Sequence, residues 1–169
     1  YYIRSYRVSF PNKELEDVAS NERVRKVKEG VRFDVDLLNE ERRRVARTMR
    51  NRGCYYFTED LIQFVADSTR GRGHVDVTMC LQDHVGEMSS EERDRLFRHY
   101  RISKVYFHMD YHVDRLPEGM QLQRSERDGY EMTWIGDKLL RDNVLIKQCP
   151  IKPGDEYSER VVEQAYSNL

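Results

Sequence analysis

The sequence predicts an α+β fold built from two small modules in tandem. Each is expected to be a three-stranded sheet with two helices on one face, and the second is expected to be incomplete. Three observations carry this reading. A unit of extended segment, Lys-x-Gly turn and amphipathic helix occurs twice, at Val27-Lys28-Glu29-Gly30-Val31-Arg32-Phe33 before Asp36–Arg52 and at Ile151-Lys152-Pro153-Gly154-Asp155-Glu156-Tyr157 before Ser158–Leu169. Such self-similarity marks repeated supersecondary units. The first copy runs strand, helix, helix, strand, strand, an order that buries the one apolar face of a small sheet under both helices. Between the copies lies a polar stretch with Gly86, Ser89 and Ser90. The expected layout is a module over 1–85, a junction over 86–99 and a partial module over 100–169.

Each element follows from its periodicity. In Tyr2–Phe10, Tyr6, Val8 and Phe10 fall on one face and Arg7 and Ser9 on the other, a strand closed by Pro11-Asn12. Glu14–Glu29 spaces Leu15, Val18, Ala19, Val24 and Val27 as a short helix broken at Ser20-Asn21. Asp34 or Asp36 can cap the next helix, whose stripe is Leu38, Val45 and Met49 and whose C-terminal cap is Gly53. Cys54–Phe57 and Leu61–Ala66 read as one strand bent at Thr58-Glu59-Asp60. Val75, Val77, Met79 and Leu81 alternate through His74–Leu81, a half-buried strand. Ser90 can cap a short helix over Ser90–Arg98, with Glu91 and Glu92 in its first turn.

The second copy opens with a strand over Ile102–Met109. Residues of about 111–135, with Pro117 and Gly119, read as an insertion that could form a hairpin, Gly129–Ile135 being briefly extended. A short helix is expected over Lys138–Val144, then the repeated turn and a helix with Val161, Val162, Ala165, Tyr166 and Leu169 on one face. Two closing strands do not follow within the sequence.

Composition narrows the function classes. Of 169 residues, 38% are hydrophobic and 35% charged, which suits small cores, and no apolar run approaches the ~18 residues of a membrane span. The net charge of −1 argues against general attraction to nucleic acid. Three cysteines, Cys54, Cys80 and Cys149, match no zinc or disulfide framework and read as apolar fillers. The first residues already read as strand and lack the pattern of a leader, so the chain reads as cut from a longer protein.

The order of elements, the turn before the second helix and the run Asn51-Arg52-Gly53-Cys54-Tyr55-Tyr56-Phe57 resemble polypeptide-transport-associated (POTRA) domains. Leu38-x-x-Glu41-Arg42-x-x-Val45, Arg50-Asn51-Arg52-Gly53, Val75-Asp76-Val77 and Pro153-Gly154-Asp155-x-Tyr157-Ser158-Glu159 are similar to the surface-antigen branch of that family. Glu29 stands where the family often has Pro, and Cys54 where an aromatic usually follows the glycine. The resemblance implies periplasmic modules in a parent with a transmembrane barrel not contained in this chain. Their partners would be unfolded outer-membrane protein segments, accessory lipoproteins or neighbouring modules. It carries no catalytic residue and no cofactor.

Other chemistry has weaker support in the residues. His108, Asp110 and His112 would share a strand face, but no fourth metal ligand is evident, so no metal site is assigned. Arg42, Arg43, Arg44, Arg47, Arg50 and Arg52 could track phosphates, making an RNA-binding α+β module the alternative. Glu40 and Glu41 balance that face, and no stacking motif accompanies it. No Gly-x-Ser-x-Gly elbow, Walker-type loop or His-Glu-x-x-His occurs, so an enzyme is not expected. The expected site is a peptide-binding edge strand, Leu61, Ile62, Gln63, Phe64, Val65 and Ala66, since His74–Leu81 would be central and its hairpin partner outermost.

Overall fold

A computed structural model describes residues 1–109 and 118–168. They form two compact units, Tyr1–Arg98 and His99–Leu169. No helix among the described residues is long and apolar enough to cross a membrane.

The first unit contains β1 (Tyr2–Ser9), α1 (Lys13–Ser20), α2 (Val35–Asn51), β2 (Ile62–Asp67), β3 (His74–Leu81), α3 (Asp83–Glu87) and α4 (Ser90–Phe97). The sheet order is β1-β3-β2, with β1 parallel and β2 antiparallel to the central β3. Side-chain caps set both helix starts: Asn12 Oδ1 accepts from Leu15 N at 3.0 Å, and Asp34 Oδ1 from Asp36 N at 2.8 Å. Alternation along β3 turns Val75, Val77 and Met79 toward the helices, where they meet Leu15 and Val18 of α1 and Leu38, Val45 and Met49 of α2. Val8 shares the inward face with Tyr6 and Phe10 and is half-buried, while a register shift between Ile3 and Ser5 brings Ile3 onto that same face.

Three expectations are corrected in this unit. Cys54–Phe57 is a turn rather than strand, followed by a single 3-10 turn at Glu59–Leu61. The apolar pair there is spaced i, i+3, so the turn buries Cys54 and Phe57 while Tyr55 and Tyr56 remain exposed. The helix expected over Glu14–Glu29 breaks at Ser20-Asn21 as expected but does not resume, since Asn21 Oδ1 accepts from Arg23 N in a turn. The stretch expected as a junction belongs to the first unit: Val85 is buried, and Met88, Leu96 and Phe97 pack on the same core. A capping box of Ser89 and Glu92 starts α4 and so directs those apolar residues inward.

The second unit contains β4 (Val105–His108), β5 (Leu122–Arg127), β6 (Tyr130–Ile135), α5 (Asp142–Gln148) and α6 (Glu159–Asn168). Its sheet order, β4-β6-β5, repeats that of the first, again with the first strand parallel and the middle one antiparallel to the last. The expectation of an incomplete module with an insertion is therefore overturned. The supposed insertion supplies two of the three strands. Asp128 and Gly129 both take positive φ, 52° and 81°, which makes the two-residue turn that matches strand twist. Tyr130, Met132 and Trp134 then present one apolar face to Leu145 and Cys149. α1 and α2 precede the hairpin in the first unit, whereas α5 and α6 follow it in the second. The helix expected over Lys138–Val144 starts four residues later, as α5, and Lys138 ahead of it pairs with Asp142 and stands over the Trp134 ring at 4.2 Å.

The repeated turn has the same job in both units. Gly30 N donates to Ile3 O at 2.7 Å, Ile3 N to Val31 O at 2.9 Å and Phe33 N to Tyr1 O at 3.0 Å. In the second unit Gly154 N donates to Ile102 O at 2.6 Å, Ile102 N to Asp155 O at 2.8 Å and Tyr157 N to Tyr100 O at 2.8 Å. Gly30 and Gly154 share positive φ, 80° and 90°, where a side chain is strained. Each turn thus occupies the chain at or just before the start of its unit's first strand. The strand expected from Ile102 begins only at Val105, where pairing with Tyr130 starts.

Candidate peptide-binding edge

Sheet order leaves β2 outermost in the first unit. Among the described residues no strand or loop bonds to its outer side, whereas the start of β1 carries the Gly30–Phe33 turn. An edge of this kind presents unpaired N–H and C=O groups to any extended chain.

The six expected site residues divide in three ways. Leu61 lies in the 3-10 turn and is buried, and Ile62 is wholly in the core. Gln63 is fixed: its Nε2 donates to Leu81 O and to Asp83 Oδ1, both at 3.0 Å. Phe64 is half-buried on the helix side, while Val65, on the opposite face, is 52% exposed. Ala66 is exposed, and Asp67 completes the strand. The Asp67 carboxylate accepts from Thr69 Oγ1 at 2.6 Å and Thr69 N at 2.9 Å, bonds that hold its pKa below the usual carboxylate range. The accessible strip is therefore Phe64–Asp67.

Sequence reasoning placed Arg42 on a solvated face and missed its relation to this strip. Its guanidinium lies 5.7 Å from the centre of the Phe64 ring. Position 42 is four after Leu38 and three before Val45, so helical spacing sets it beside the apolar stripe.

Three more arginines of the expected phosphate-tracking set are engaged within the first unit. Arg44 is bound to buried Glu41 at 2.7 Å and donates to Val18 O and Ala19 O. Arg50 donates to Phe57 O at 3.0 Å, and Arg52 pairs with Glu14 at 3.6 Å. Of the possible metal triad, Asp110 and His112 lie outside the described residues. The Nδ1 of His108 is 2.8 Å from Thr133 Oγ1. The apolar face of α6 is only partly covered: Ala165 is buried, Val162 lines a groove of about 150 Å³ beside β4, Tyr166 is 83% exposed, and Leu169 lies outside the described residues.

One observation decides the fold of the first unit: a central β3 parallel to β1 and antiparallel to β2, reached through two helices. The first unit has the strand-helix-helix-strand-strand order that the sequence resemblance implies. The second repeats the sheet order, with its helices displaced along the chain. No family model matches the sequence, and no curated protein matches it. Among solved structures, the chain is similar to the N-terminal domain of Omp85 from the thermophilic cyanobacterium Thermosynechococcus elongatus. The identity is 11% over 100% of this chain and 84% of that one, with a TM-score of 0.34. It is also similar to POTRA3-5 of BamA from Haemophilus influenzae, at 9% identity over 100% of this chain and 85% of that one, with a TM-score of 0.40.

Proposed function

We propose that this chain supplies periplasmic binding modules to an outer-membrane protein assembly or translocation factor, and that β2 receives extended segments by strand addition. The occupants are unfolded β-barrel precursors, or extended parts of an accessory lipoprotein or neighbouring module. The supporting observation is the open outer side of a six-residue strand whose sheet is otherwise closed at the start of β1. Backbone pairing accepts almost any side-chain sequence, which suits a receptor of many clients. Each added hydrogen bond nets only about 0.5–1.5 kcal/mol, so the complex is weak and reversible, as a transfer site requires.

The test is an amide-shift titration of the whole chain with extended, aromatic-ended peptides that copy the alternation of barrel strands. Shifts clustered at Gln63–Ala66 are expected. No shift there at millimolar peptide overturns the proposal.

A further inference from the structure

Arg42 is the one guanidinium of α2 placed beside the open strand with no acidic partner. No carboxylate among the described residues pairs with it, and its Nε, shielded from solvent, has no hydrogen-bond partner. The guanidinium lies against the Phe64 ring. The contrast with Arg44 two residues on, which has both a carboxylate and two carbonyls, is sharp. A shielded polar group without a partner costs stability, and the cost is recovered when a ligand supplies the acceptor.

Geometry fixes where that acceptor would come from. Ile62, Phe64 and Ala66 face the helices, because their partners Leu81, Met79 and Val77 lie in register with the core side of β3. A strand added outside β2 must alternate in the same way, so its helix-side residue beside Phe64 comes next to the Arg42 guanidinium. Arginine matches a carboxylate in a planar, two-bond geometry.

We propose that Arg42 selects added strands that carry an acidic side chain, Asp or Glu, at the helix-side position beside Phe64. An internal side chain fits better than a C-terminal carboxylate. Phe64 lies in the middle of β2, so a chain ending there would forfeit the backbone bonds on one side. This inference rests on strand addition at β2 and adds a rule of client choice to it.

The test compares two nine-residue Thr/Val strand peptides, one with a central Glu and one with Gln, by amide-shift titration of the whole chain. The Glu peptide is expected to bind about five- to tenfold more tightly, the range for a half-shielded, charge-assisted pair. That preference is expected to vanish in Arg42→Gln, to survive in part in Arg42→Lys, and to shrink as salt is raised. Equal affinities for the two peptides, with shifts still at β2, overturn the role of Arg42 and leave strand addition standing. Absence of shifts at β2 with either peptide removes both.

Discussion

Glu41 illustrates how one buried charge ties three parts of the first unit together. It is fully buried, accepts from Lys26 N at 2.8 Å and holds Arg44, which in turn reaches the last carbonyls of α1. Glu41→Ala strands Arg44 and the Lys26 amide. A loss of about 2–3 kcal/mol is expected in chemical denaturation, less than for a wholly buried pair because Arg44 keeps some contact with water. Asp76 gives a pH-dependent counterpart. Bonds from Arg4 first and Ser5 second lower its pKa to about 2. A lowered carboxylate pKa contributes stability that is full above the unfolded value near 3.8 and is lost as pH falls through about 2. Stability of the chain, followed by denaturation midpoints, is expected to drop between about pH 4 and pH 2, and Asp76→Asn should flatten part of that drop.

At the scale of elements, two turns make contrasting predictions. Alanine at Gly30 meets no neighbour but must adopt φ 80°, so a loss of about 1–2 kcal/mol is expected. Alanine at Gly129 must adopt φ 81° and would also place its Cβ 2.8 Å from that of Pro153, so about 2–4 kcal/mol is expected. Thermal unfolding of the two variants checks the order. Regular elements are the legible part of the sequence: periodicity marks β3 residue for residue, and α2 to within one residue at either end. Cys54–Phe57 misleads because four apolar residues in a row satisfy strand and turn patterns alike, and only the i, i+3 burial separates them. The hairpin of the second unit is visible in Asp128-Gly129 and in the alternation of Tyr130, Met132 and Trp134. Its place in the sheet is not, because periodicity says nothing about which strands pair. The edge position of β2 follows from hairpin order, whereas Arg42 escapes notice because charge alone, without its spacing from Leu38 and Val45, suggests solvent.

For the molecule as a whole, the two cores share no residue. Residues 1–98 produced alone are therefore expected to fold, giving a dispersed amide spectrum and a cooperative urea transition. The shorter fragment 1–85, cut where composition suggests a boundary, loses Leu96 and Phe97, whose ring lies 5.7 Å from that of buried Phe57. It should be less stable than 1–98 by about 2–4 kcal/mol in urea, as for removal of large core side chains. Equal stability of the two fragments would show that α4 contributes nothing to this core.

The different placing of helices and hairpin also sets a timetable for synthesis. Arg4 bonds to Asp76, 72 residues away, whereas His108 bonds to Thr133 only 25 residues on. At the usual pace of a ribosome, β1 waits about 4–14 s for the strand that completes it, and β4 about 1–5 s. The first strand thus waits longer for its neighbour than β4 does, and Tyr2–Ser9 spends that interval as an unclaimed strand.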